Sequence, residues 1–196
     1  TRPLPGSEGR PIVPEMGAET TKRGAVGVLV AMLVAGAPRA EGAEGMNAAL
    51  IGAAGRGDAA EVRRLLAAGA QVDARDGARR TALYHATEGN HAAAAIALIE
   101  AGADVNASDG ASIDPTPYLL AGKQGYNEIL RAMLARGADL KSTNGYGGTA
   151  LIPACERGHV ETVRLLLEAG VDPDHVNRLG WTGLLEAIIL SDGGPV

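Results

Sequence analysis

Leu166-Leu167-Glu168-Ala169-Gly170-Val171-Asp172 settles the architecture, because the chain writes the same phrase three more times. The other copies are Leu65-Leu66-Ala67-Ala68-Gly69-Ala70, Leu98-Ile99-Glu100-Ala101-Gly102-Ala103-Asp104 and Met133-Leu134-Ala135-Arg136-Gly137-Ala138-Asp139. Their glycines, 69, 102, 137 and 170, step by 33, 35 and 33. A second marker, Thr81, Thr116, Thr149 and Thr182, steps by 35, 33 and 33. Two independent markers sharing one period identify a stacked repeat, in which each unit contacts only its neighbours.

The content of a unit is legible in the fourth copy. Leu151, Ala154 and Cys155 are apolar at helical spacing. Gly158-His159 interrupts them. Val160, Val163, Leu166 and Leu167 then form a second apolar stripe, with Glu161, Arg164 and Glu168 opposite. Gly170 is placed to close that helix in the left-handed conformation. Asp172 to Gly180 is polar loop. The pattern predicts an all-α solenoid of helix-turn-helix units with extended finger loops. The units are expected over about 46–80, 81–115, 116–148 and 149–181, with a truncated one over 182–196, inside a repeat region of 45–196. One unit cannot bury both stripes, so neighbours must cover them.

The repeats resemble the ankyrin repeat family over about residues 45–196. The family's Thr-Pro-Leu-His phrase stands here as Thr81-Ala82-Leu83-Tyr84, Thr116-Pro117-Tyr118-Leu119, Thr149-Ala150-Leu151-Ile152 and Thr182-Gly183-Leu184-Leu185. Each Thr is placed to cap a helix through its hydroxyl. His is lost in all four, which shifts the expected stacking toward apolar contact. The later copies, Gly148 to Ala154 and Asp172 to Thr182, look like a group of bacterial ankyrin proteins. The resemblance implies a non-catalytic scaffold that binds another protein. The alternative is an accessory module that recruits or protects an enzyme of the cell envelope.

Composition agrees. Hydrophobic residues are 46% of the chain but aromatics 3%, and 28 glycines suit close helix packing with many turns. The net charge of −5 leaves no basic footprint for nucleic acid. Basic residues gather locally at Arg75, Arg79 and Arg80.

The N-terminal text differs. Residues 1–23 read as a disordered leader or upstream extension, with Pro3, Pro5, Pro11 and Pro14 and no apolar period. Residues 24–40 read as a signal-peptide-like segment. Lys22-Arg23 precede the 14 uncharged residues Gly24 to Ala37, fewer than the roughly 20 of a spanning helix. Ala35-Gly36-Ala37 has the small-x-small form of a cleavage site. Pro38 disfavours cleavage there, and Ala40 is the other option. Met16 would start a leader of ordinary length. A buried helix on the first repeat and an uncut membrane anchor stay open as other readings. The expected localisation is export to the periplasm or medium, with the cytoplasm as the alternative. At the other end, Trp181 to Leu190 reads as the first helix of a fifth unit. The expectation there is a parent protein with at least one further helix.

No catalytic set emerges, and the chain is expected not to be an enzyme. His85, His91, His159 and His175 lack the tight pairing of zinc sites, so no metal and no cofactor are expected. His175 beside Asp172 and Asp174 reads as solvated loop. Cys155, the only cysteine, lies on an apolar stripe, and one cysteine permits no internal disulfide. Asn144-Gly145-Tyr146-Gly147-Gly148 lacks the Lys-Ser/Thr of a nucleotide loop. The expected partner is another protein; nucleic acid and small molecules are not expected, and a membrane only through an uncleaved leader. Fingers and first helices line the binding face of such stacks, and aromatic and Arg side chains dominate interface energy. The candidate contact residues are therefore Arg79, Arg80, Tyr146, Arg178 and Trp181. Trp181 has a second reading, as a cover over the seam between the last two repeats.

Overall fold

The structure, a computed structural model, describes residues 40–191. The expected leader and all of the signal-like segment except Ala40 lie outside the described residues. Nine helices occur among those described: α1 (Ala40–Arg56), α2 (Ala59–Ala67), α3 (Ala82–Glu88), α4 (Ala92–Glu100), α5 (Pro117–Gln124), α6 (Asn127–Ala135), α7 (Leu151–Glu156), α8 (Val160–Glu168) and α9 (Gly183–Ser191). The first helix begins at Ala40, earlier than the repeat region expected from residue 45. The odd-numbered helices pack in sequence as an inner row, and the even-numbered ones pack beside them as an outer row.

Local chemistry makes each pair. The turn between helices needs one left-handed residue, supplied by Gly57, Asn90, Gly125 and Gly158 with φ of 77°, 52°, 74° and 68°. Asn90, not Gly89, thus occupies this position in the second unit, as asparagine tolerates it. The second helix ends on the repeated glycine. Gly69, Gly102, Gly137 and Gly170 all have positive φ, and the next residue's N–H reaches back to the carbonyls of Leu65, Leu98, Met133 and Leu166. This is the left-handed cap that the phrase predicts.

Three of the four threonines cap as expected. The hydroxyls of Thr81, Thr116 and Thr182 accept from the N–H of Tyr84, Leu119 and Leu185 at 3.2–3.3 Å. Thr149 does not. In the other units the residue four on donates its N–H to the threonine carbonyl. Here that residue is Pro153, which has no N–H. The Thr149 carbonyl instead takes the Ile152 N–H at 3.2 Å, and α7 starts late at Leu151. The Thr149 hydroxyl is left buried without a partner.

The core runs between the two rows. It includes Leu50, Val62, Leu83, Leu98, Tyr118, Ile129, Met133, Leu151 and Leu166, with many alanines. Small residues set the spacing: a Cβ on Gly122 would lie 2.8 Å from the Ala150 Cβ. The expected outer stripe of the fourth unit needs correction. Leu166 and Thr162 are fully buried, but Val160 is 70% and Leu167 44% exposed. Both lie roughly 100–120° around the helix from Leu166. That is the side away from α6, where no described helix stands.

Polar ties between repeats also persist, moved from the missing histidines into the loops. Asp73 and Asn106 each accept the backbone N–H of Asp104 and Asp139 in the following unit, at 2.8–2.9 Å. The Thr162 hydroxyl donates to Asn127 Oδ1 between the outer helices α8 and α6. Stacking is therefore apolar in the core and hydrogen-bonded at the edges.

Candidate functional site

The fingers are folded by their own first residue. Asp76, Asn144 and Asn177 each bond their N–H to the carbonyl four residues on, at Arg80, Gly148 and Trp181. The same residue's Oδ1 accepts two N–H groups inside the loop. The third position after it is left-handed: Arg79, Gly147 and Gly180. The finger between them is longer, because Asp109 pairs its N–H with Pro115 instead. Those two extra residues are the ones that stretch one step from 33 to 35.

The five candidate residues fall into two groups. Arg79 and Arg80 are on the first finger. Arg79 is exposed at the tip with φ of 64°. Arg80 turns inward: its guanidinium lies 5.2 Å over the Tyr84 ring, 3.3 Å from Glu88 and 3.9 Å from Asp109. Its Nε is buried without a hydrogen-bond acceptor. Arg80 thus ties finger to helix, and offers less to a partner than its charge suggests. Burial works against charge on Asp76 and Asp109, but hydrogen bonds outweigh it. Asp76 is held below the usual range by the N–H groups of Arg80 and Ala78 and by His85; Asp109 by Ser112, Ala111 and then Arg80.

Tyr146, Arg178 and Trp181 come together at the last two fingers. Arg178 Nη1 donates to the Gly145 carbonyl at 3.1 Å, and its own N–H donates to the Tyr146 carbonyl at 2.9 Å. That pair of bonds clamps one finger to the next. Tyr146 is 52% exposed, and Trp181 is half-buried. Both border a groove of about 430 Å³ that Ile152, Pro153, Glu156 and Glu186 also line. Trp181 thus faces a groove that residues of both of the last two repeats line.

The remaining polar residues have structural employment. His175 Nε2 lies 2.7 Å from the Gly147 carbonyl, and His91 Nε2 3.1 Å from that of Gly55. His159 packs against Gly125, where an added Cβ would meet its ring at 2.9 Å. Cys155 is partly buried. Burial, and then the charge of Glu186, push its thiol up, away from the reactive thiolate.

A family model described as ankyrin repeats, in three copies, matches residues 22–109 and 118–193. The chain belongs to the ankyrin repeat family. The stretch between the two matches holds most of the longer finger. An ankyrin repeat domain from Acinetobacter baumannii AYE, known from a crystal structure, is 59% identical with a TM-score of 0.70. The likeness covers 74% of this chain and 73% of that one. No curated protein matches. Ankyrin repeats are in general protein–protein interaction modules on a non-catalytic fold.

Two residues of this ankyrin groove escaped the sequence reading, Glu156 and Glu186. Each lies on an inner helix, seven and four residues after a repeat threonine. That register was the available signal. Nothing in residue type alone distinguishes them from solvated glutamates, yet Glu186 is only 7% exposed. Burial, and then the nearby charge of Glu156, push its carboxyl above the usual range.

Proposed function

We propose that the chain is a non-catalytic scaffold that binds another protein through its fingers and inner helices, and that it is exported. The observation that carries the binding reading is the meeting of Tyr146 and Trp181 over one groove. Large aromatic anchors in a partly desolvated pocket are what interface hot spots are made of. The test is capture of a partner by the full-length chain, identification of that partner, and calorimetric titration against Tyr146→Ala. The expected result is weakened binding with an unchanged circular-dichroism melt. Undiminished binding by Tyr146→Ala and Trp181→Ala together would remove the groove from the interface.

Export rests on residues 24–37, and one observation favours the other reading. The family match begins at residue 22 and so takes in the apolar segment. On that reading the segment packs on the first repeat and the protein stays in the cytoplasm. Expression from Met16, cell fractionation and the mass of the mature chain separate the two. A product cut near Ala37 or Ala40 outside the cytoplasm supports export, and an uncut cytoplasmic one refutes it.

A further inference from the structure

The four inner helices that follow a repeat threonine present a column of side chains four and seven residues after it. The pairs are His85 and Glu88, Leu120 and Lys123, Pro153 and Glu156, and Glu186 and Ile189. In the second and third repeats the charges of this column are answered inside the protein. Glu88 lies 3.3 Å from Arg80 and 3.7 Å from His85, and Lys123 lies 2.7 Å from Asp114. In the last two repeats they are not. Neither Glu156 nor Glu186 has a cation within 4.0 Å or a side-chain hydrogen bond among the described residues.

Glu186 makes the contrast sharp. It is more than nine-tenths buried, and it lines the groove beside Trp181. A carboxylate on a largely buried side chain, with no cation beside it, favours an incoming one. The nearest basic residues in sequence are committed elsewhere. Arg178 Nη1 donates to Gly145 and Arg157 Nη1 to Gln124 Oε1 at 3.3 Å. The groove thus combines two unanswered carboxylates with two aromatic rings. Both features favour a cation, through charge-assisted hydrogen bonds and through the ring faces.

We propose that this groove seats an arginine side chain presented by a positively charged, extended segment of the partner protein. The inference rests on the protein-binding reading above and adds the chemistry of the anchor. A planar guanidinium has enough donors to serve both carboxylates while it lies against a ring. A groove of about 430 Å³ holds one such side chain with room for water. Glu156 at the exposed rim would steer the approach, and Glu186 would take the seated group.

The probe is a short peptide alternating glycine and arginine, with its citrulline counterpart as a neutral isostere. Trp181 is the only tryptophan of the chain, so its emission reports on the groove directly. The full chain is expected to give a saturable emission change with the arginine peptide that weakens as salt rises. The citrulline peptide is expected to give none. Glu156→Gln with Glu186→Gln should weaken the arginine peptide about tenfold or more, while Glu100→Gln with Glu168→Gln leaves it unchanged. Should Glu186→Gln fail to fold, Glu156→Gln alone carries the test, since that side chain is exposed.

Equal binding of the citrulline peptide would make the groove an apolar one and overturn the proposal. So would binding that ignores the glutamine changes, absence of any binding, or displacement of the peptide by millimolar calcium. A captured partner protein that Tyr146→Ala releases but the glutamine variants retain would overturn this inference alone. The scaffold reading would stand.

Discussion

Tyr118→Phe is expected to stabilise the protein. Tyr118 stands at the centre of the stack on α5, fully buried, and its hydroxyl has no hydrogen-bond partner. Desolvating a hydroxyl without compensation costs about 1–3 kcal/mol on mutational scales. Removing one oxygen leaves a void no larger than a methyl group, which costs about 1 kcal/mol. The balance is a gain of about 1 kcal/mol, or a rise in Tm of about 2–4 °C for a domain of this size. Repeat arrays can melt in parts, so circular dichroism and Trp181 fluorescence should be followed together in a denaturant series. A second readout separates this cause from general repacking. Burial, and then Asp139, push the Tyr118 phenol above its ordinary value of 10.0. Above that pH the unfolded chain loses this proton while the folded chain keeps it. Rising pH then favours unfolding, by about 1.4 kcal/mol per unit for this group. The phenylalanine variant escapes that loss, so its advantage should widen above pH 10. A destabilisation of about 1 kcal/mol or more, with parallel alkaline limbs, would refute the reasoning and show that the hydroxyl is bonded to buried water.

Three other outcomes follow from the same contacts. Leu166→Ala should cost about 2–5 kcal/mol in chemical unfolding, as a large-to-small change in a closed core; a harmless result would contradict its burial. Thr81→Ala should cost about 1 kcal/mol for a lost cap, whereas Thr149→Ala should cost close to nothing, because Pro153 has already cancelled that cap; equal losses would show that Thr149 caps after all. Gly125→Ala should lower the melting temperature clearly, since it combines a left-handed backbone at φ of 74° with a Cβ placed 2.9 Å from the His159 ring, and an unchanged melt would mean the ring moves aside freely.

The helix ends were legible because they depend on single residues with local roles. Gly69, Gly102, Gly137 and Gly170 are left-handed caps in the structure as in the pattern, since no long-range contact competes with that preference. Thr149 was not legible in this way. Its capping role depends on whether the residue four positions later carries an N–H, and a threonine marker alone does not record that. Val160 and Leu167 show a different limit. An apolar stripe states what a helix can bury, but which part is covered depends on the neighbour that stands beside it. The groove was half visible. Tyr146 and Trp181 stood out as rare aromatics in finger positions. Glu156 and Glu186 did not: the burial of Glu186 is a property of the stack and not of its own helix, and Glu156 joins the groove only through the neighbouring repeat.

The closed bonding of Asp76, Asn144 and Asn177 has a consequence for how such a protein diversifies. One residue at the base of each such finger dictates the loop's path, so exposed tip side chains outside the Arg178 clamp, such as Ala78 and Leu179, carry little duty in holding the chain together. A lineage can therefore exchange tip side chains and acquire new binding preferences without re-solving the problem of folding. Such change is cheap at positions such as Ala78 and Leu179, and expensive at the base residue, where one substitution would collapse a whole recognition element.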